Sequence, residues 1–405
     1  RESGWMTGNK QTGLLSGIRV LDLSRVMSGP FCTSMLADLG AEVIKVEMPV
    51  FGDEARHFGP FEDGESTYFM LLNRNKKSVV VNMKTTEGRA LLENLIPKCD
   101  VLVENFRPGV MARLGLNEPK ARELNPDIIY TSISGFGQES PLKDWPAFDL
   151  IIQAMSGLMS LTGPKGGPTT AVAESVADVC TGMFAAFGTV AALFDRERSG
   201  KGQHVDVAML DSMMAMQLTG LARQLYKDET PKPAGNRHPV TYPVDSFTTQ
   251  DGDIVMVCFS DKLFAGLSDL MGLPDLAGDP RFANNTARNE NEAALYGLIS
   301  DWAATQTQKK AIDGLLSKGI PAAPIWDLRQ LTASDHVAAR DLVVTGQHDK
   351  LGDIPLVPQP VKFSNHSSQP DYQSPTLGQH TENVLRDVAE LEEDEITALR
   401  AAKSI

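Results

Sequence analysis

The sequence predicts an α/β protein: a large doubly wound, Rossmann-like domain joined to a smaller α+β domain. Three observations carry that reading. Apolar strand-like runs alternate with helical patterns between residues 18 and 210, and such alternation specifies a mostly parallel sheet with helices on its faces. The pattern stops at "KDETPKPAGNRHP" (227–239), where prolines, charges and glycine mark a linker. Beyond it, two strand-like runs flank Asp251-Gly252, a hairpin signal.

The elements follow in order. "IRVLDLS" (18–24) is an apolar strand. "PFCTSMLADLG" (30–40) is a helix with proline at its start and glycine at its end. "EVIKVE" (42–47) completes a βαβ unit, whose two strands should run parallel. "KSVVVNM", a helix near 86–97, "DVLVENF" (100–106), a helix near 118–125 and "DIIYTSIS" (127–134) continue the alternation. A helix over 148–160 leads to a glycine-rich hinge. A long helix over 174–196 then leads to the strand "HVDVAML" (204–210). The expected organisation is a large domain over 12–226, a linker over 227–243, a small domain over 244–325, a return linker over 326–364 and a C-terminal part of the large domain over 365–405.

Composition narrows the function classes. Of 405 residues, 42% are hydrophobic and 22% charged, as in an ordinary soluble domain, and the net charge of −14 argues against a general nucleic-acid binder. The most apolar run, "MFAAFGTVAALF" (183–194), is shorter than the ~20 residues a bilayer requires and reads as a buried helix, so no membrane partner is expected. Cys32, Cys99, Cys180 and Cys258 stand far apart, which predicts no disulfide framework and a reducing, cytoplasmic setting. No metal is expected: His57, His204, His238, His336, His348, His366 and His380 lack ligand spacing. "RESGW" before Met6 reads as an expression remnant. The sequence has no GxGxxG, GxxxxGK[ST], GxSxG or HExxH motif.

Several stretches could carry chemistry, each beside a plainer alternative. Gly29-Pro30 lies between the first strand and helix, where free N–H groups would suit an anion; a tight turn is the plain reading. Arg74, Lys76 and Lys77 precede one strand, and Arg107 and Arg113 follow another. If these five cations meet, they suit a polyphosphate ligand; otherwise they form a solvated rim. Gly135-Phe136-Gly137 could bring backbone close to a ligand or simply turn the chain. The hinge "TGPKGGPTT" (162–170) reads as a mobile lid or as a surface loop. Glu174 and Asp178, four apart, would share one face near a helix start, where the dipole keeps both ionised, as base, nucleophile or cap.

Taken together, "LSGIRVLDLSRVMSGPFCTSMLADLGAEVIKVE", "NRNKKSVVVNM", "DVLVENFRPGVMARLGL", "NPDIIYTSISGFGQESP", "FDLIIQAMSGLMSLTG", "GNRHP" and "LGQHTENVL" resemble the family III CoA transferases, the CaiB/BaiF family. The resemblance implies an interlocked, ring-like homodimer. It also implies coenzyme A and acyl-CoA as substrates, with a small carboxylic acid of the dicarboxylate class as acceptor. The CoA-binding positions it implies are Met27, Ser28, Leu72, Asn73, Arg74, Asn75, Lys76, Asn105, Phe106, Arg107, Arg113, Ser134, Gly135, Phe136 and Gly137, with Met48 where some relatives have arginine. It implies a carboxylate nucleophile that forms an acyl anhydride and then a CoA thioester. The hinge position expected to hold that acid is Gly166, and the histidine position of the racemase branch is Phe148, which leaves Asp178 and Glu174 as candidates. Lys165 could attract a substrate's far carboxylate. A 2-methylacyl-CoA-type racemase and a CoA-binding member with weakened catalysis are the alternatives.

Overall fold

A computed structural model describes residues 13–365 and 372–405; "RESGW" and His366 lie outside the described residues. Contacts divide the chain into two units: residues 1–158, 172–219 and 338–405 form the first, and 159–171 with 220–337 the second. The hinge therefore belongs to the second unit.

The first unit is built on six parallel strands: β1 (Arg19–Asp22), β2 (Glu42–Glu47), β3 (Lys76–Val80), β4 (Val101–Glu104), β5 (Ile129–Ser134) and β6 (His204–Ala208). Their spatial order is β3-β2-β1-β4-β5-β6. Strand order reverses between β1 and β4, and in open parallel sheets ligands bind beyond the carboxyl ends of the strands at such a point.

Both faces of the sheet are covered, so successive residues enter opposite cores. Val20, Val43, Val101 and Val103 pack with Cys32 and Leu36 of helix α1 (Ser28–Asp38) and with Ala185 and Leu193 of a later long helix. Leu21, Ile44 and Leu102 point the other way, onto Leu91 and Leu92 and onto Val384, Leu385 and Ile396 near the C-terminus. The tail completes the unit: Thr381 Oγ1 accepts the Val80 N–H at 3.0 Å, and the Ser404 carbonyl accepts that of Asn82 at 2.8 Å.

The predicted 148–160 helix breaks at Gly157, whose φ of 88° no helix accommodates, leaving helix α2 (Asp149–Met155) and a short turn after it. Helix α3 (Val176–Ser199) starts later than expected, so Glu174 precedes it. By length and composition α3 could cross a membrane, but half of its apolar window is buried in this unit, against α1 and the sheet. Val344–His348 and Gly352–Leu356 pair antiparallel inside the stretch expected to be a return linker.

In the second unit, Val244–Thr248 and Asp253–Val257 form the expected hairpin, and Ala322–Pro324 adds a third strand. The hinge is tied by its own bonds. Thr170 N–H donates to the Thr162 carbonyl at 2.8 Å, Gly235 N–H to that of Gly163 at 2.9 Å, and Lys165 Nζ pairs with Glu292 at 2.9 Å. Gly163 has φ 134°, and a Cβ there would lie 2.3 Å from the Pro168 carbonyl, so glycine is required.

Beneath the carboxyl edge of the first unit lies a buried ion-pair network. Lys45 on β2 donates to Asp53 at 2.7 Å and to the Ser24 carbonyl at 3.0 Å. Asp53 accepts the Val26 and Ala55 N–H groups at 3.0 and 2.9 Å. The pair is almost completely buried, so removing one partner strands the other charge. Lys45→Met alone should cost about 3–5 kcal/mol in urea unfolding. A loss below about 1 kcal/mol would contradict this role for the pair.

Candidate active site

Two neighbouring cavities open at the carboxyl edge of β1, β2 and β4. The larger, about 490 Å³, is lined by Leu23, Met48, Phe51, Met83 and Lys84 among others. The smaller, about 280 Å³, is lined by Met27, Ser28, Asn105, Arg107, Ser134, Gly135, Lys143, Trp145, Phe148 and Asp178. Arg25, Glu54 and Phe106 line both. The Arg25 guanidinium lies over the Phe106 ring, 5.1 Å from its centroid, and pairs with Glu54 at 2.6 Å.

Glycines let these walls approach. A Cβ on Gly29 would fall 2.2 Å from the Ser24 Cβ, and one on Gly135 would fall 2.2 Å from the Ala147 Cβ. A Cβ on Gly182, one turn beyond Asp178, would lie 2.7 Å from the Ser28 carbonyl, where α3 meets α1.

Asp178 sits in the first turn of α3 with no cation in ion-pair range among the described residues. The helix start is capped from outside. Asp149 Oδ1 accepts the Ala177 and Asp178 N–H groups at 2.7 and 3.3 Å, while Gln153 Nε2 donates to Asp149 Oδ2 at 2.7 Å. Burial first, then repulsion from Asp149, pushes the Asp178 carboxyl up to about 7; the hydroxyl and N–H of Ser28 pull the other way. The expectation that the helix dipole keeps this acid ionised is thus corrected: desolvation and a second carboxylate outweigh it. The α1 N-terminus, expected to face a ligand anion, turns Ser28 toward Asp178. Glu174 is exposed outside the helix and lines neither cavity.

The predicted binding residues divide. Met27, Ser28, Asn105, Phe106, Arg107, Ser134 and Gly135 come together around Asp178. Leu72, Asn73, Arg74, Asn75 and Lys76 do not join them. Arg74 is buried in an ion pair with Asp38 at 2.6 Å; Lys76 is buried against Asp22 at 3.2 Å and donates to Asn73 Oδ1 at 2.9 Å. Leu72 is core, and Asn75 faces a separate cavity with Lys77, Gln373 and His380. These residues lead into β3 at the amino edge of the sheet, whereas Arg107 follows β4 at the carboxyl edge. The five cations therefore do not meet. Arg113 is exposed and lines neither cavity. Phe136 is buried against Trp145, and Gly137 turns the chain with φ 87°. Gly166 is an exposed turn residue with φ 72°. His238 Nδ1 faces the Val240 and Thr241 N–H groups at 3.3 and 3.1 Å, a turn-holding role. Sequence reasoning missed Arg25, Lys143, Trp145 and Asp149. Only the two cations carried a signal, as charges beside loops already singled out.

Because the folded protein holds the Asp178 proton more tightly than the unfolded chain, its contribution to stability is present at low pH and lost as pH rises through about 7. Asp178→Asn should therefore raise the melting temperature at pH 8, with the gain shrinking toward pH 4. An equal effect at both values would contradict the raised carboxyl.

CoA-transferase family III matches residues 15–381. An acetyl-CoA:oxalate CoA-transferase of Acetobacter aceti is 41% identical, covering 89% of this chain and 92% of that protein. A succinyl-CoA–D-citramalate CoA-transferase of Chloroflexus aurantiacus is 36% identical, covering 99% and 100%. A solved CaiB/BaiF family protein from Brucella suis superimposes with a TM-score of 0.84 at 34% identity, covering 93% of this chain and 100% of that one. The chain belongs to CoA-transferase family III.

Proposed function

We propose that this protein transfers coenzyme A from an acyl-CoA to a small dicarboxylic acid, with Asp178 as the nucleophile. The observation that carries the assignment is an unpaired, largely buried carboxylate opening into a cavity at the switch point of the sheet. The acceptor class is supported by relatives named for oxalate and citramalate.

The nucleotide end of coenzyme A occupies the larger cavity, beside Lys84 and Arg25. The thioester enters the smaller one, past Arg107. Asp178 attacks the thioester carbonyl, giving an acyl-aspartyl anhydride and CoA thiolate. The thiolate attacks the aspartyl carbonyl, releasing the donor acid and leaving an aspartyl-CoA thioester. The acceptor carboxylate displaces CoA as thiolate, forming a second anhydride, and the thiolate then takes the acceptor's acyl group and frees Asp178. Each step exchanges one activated acyl bond for another, so no external energy source enters. In this reading the Ser28 N–H, which bonds to the Asp178 carboxyl at rest, donates instead to the oxyanion that forms there.

The homodimer is also part of this reading. Along α3, Phe187 and Phe194 are 74% and 65% exposed, and Leu150 on α2 is 56% exposed. Apolar surface of this extent suits a second copy of the chain, and the interlocked-ring arrangement comes from the family resemblance. Four buried free thiols fit a reducing compartment such as the cytoplasm.

Incubation with a labelled acyl-CoA and a panel of dicarboxylates should place CoA on the acceptor. Asp178→Asn should lower kcat by ~10³-fold or more, whereas Glu174→Gln should stay within ~3-fold of the parent. Retained transfer in Asp178→Asn would overturn the assignment, and solvent deuterium at the substrate α-carbon without transfer would indicate racemisation. kcat/KM should rise with pH through about 7 as Asp178 ionises. Asp149→Asn keeps an oxygen for the cap but removes a negative charge, so it should move that limb to lower pH. An unmoved limb would contradict the coupling between the two acids.

A further inference from the structure

Most of the fully buried acids in the first unit have a cation. Asp22, Asp38, Glu47 and Asp53 lie within 3.2 Å of Lys76, Arg74, Arg56 and Lys45 respectively. Glu104, the last residue of β4 and 3% exposed, has none in ion-pair range among the described residues. An isolated buried carboxylate is costly, so its remaining contacts identify what it does.

Those contacts lead to the substrate cavities. Glu104 Oε2 accepts the Phe106 N–H at 2.9 Å, closing the turn immediately after β4. The Ser132 hydroxyl on β5 also bonds to the carboxylate, and Ser132 Oγ lies 2.9 Å from Nε2 of the exposed His204 on β6. The other titratable groups facing it are Asp206 on β6 and Tyr130 on β5. Burial first, then Asp206, pushes the Glu104 carboxyl up to about 7, against the hydrogen bonds from Ser132 and Phe106. The turn itself carries Asn105, whose side chain holds the Arg25 backbone through bonds of 2.9 and 2.8 Å. It also carries Phe106, which lines both cavities, and Arg107.

We propose that Glu104 is a positioning residue for acyl-CoA, fixing the Asn105–Arg107 turn through the Phe106 N–H in the shape that receives the substrate. The inference rests on the CoA-transferase reading above. Glu104 is too buried to touch substrate itself and acts through the turn. An ionised acceptor holds an N–H more strongly than a neutral one, so deprotonated Glu104 is the tighter anchor.

Calorimetric titration with free coenzyme A, alongside steady-state kinetics, tests this on the unsubstituted chain, Glu104→Gln and Glu104→Leu. The amide oxygen of Gln still accepts the Phe106 N–H, so its affinity at pH 7.5 should stay within ~3-fold of the parent, whereas Leu should weaken binding ~10-fold. KM for acyl-CoA should rise in the Leu variant while kcat at saturation changes less than ~3-fold. Parental affinity in Glu104→Leu overturns the proposal, as does a Gln variant as weak as the Leu one. If Glu104→Leu does not fold, pH dependence decides. In an Asp178→Asn background, affinity should strengthen more steeply from pH 6 to pH 8 with Glu104 than with Gln, the ionisation of coenzyme A's own phosphate being common to both. Equal slopes overturn the proposal. No uptake of millimolar coenzyme A by the unsubstituted chain would overturn the functional reading itself, and this inference with it.

Discussion

The buried ammonium of Lys45 is the constraint on which the site depends. It is fully buried, so its charge must be met by Asp53 and by the Ser24 carbonyl. Asp53 in turn fixes the loop backbone at Val26. That loop opens α1, and the first residue of α1 is Ser28, which faces Asp178. Core electrostatics and the Asp178 carboxyl are thus linked through a few covalent steps. The site inherits its geometry from charge neutralisation beneath it rather than from the exposed loops around it.

Among the described residues, Asp178 and Glu104 have no cation in ion-pair range, for related reasons. Asp178 and Glu104 both lie where the carboxyl edge of the sheet opens to the cavities, and both are held near 7 by burial and a neighbouring acid. The acids paired with Lys or Arg are structural. The protein separates these settings by where it spends its buried cations: an acid beside a lysine or arginine is neutralised by it, whereas Asp178 and Glu104 keep a proton near pH 7.

Much of the fold was legible because strand and helix periods are local. β2 was read at its observed bounds, and the other five strands of the parallel sheet to within a few residues. The Val344–His348 and Gly352–Leu356 pair was missed because glycine and proline interrupt any alternation there. The site was legible in part. Arg107 stands out as a cation after a strand and Asp178 as an acid near a helix start, whereas Asn105 and Ser134 are marked only by the family resemblance. Arg74 and Lys76 misled, since a sequence does not show which cations are already neutralised inside the core. Asp149 was missed because it caps a helix start 28 residues away, a relation fixed only by tertiary packing.

The composition of the first unit from three stretches of chain also constrains its birth. Strand β3 and the segment after it depend on Thr381 and Ser404 to satisfy the N–H groups of Val80 and Asn82. During synthesis those donors wait for more than three hundred further residues, including the whole second unit, to leave the ribosome. The nascent sheet therefore carries an unfinished edge through most of translation, and the segment from Thr381 to Ser404 acts as the clasp that lets the β3 side of the first unit reach its native state.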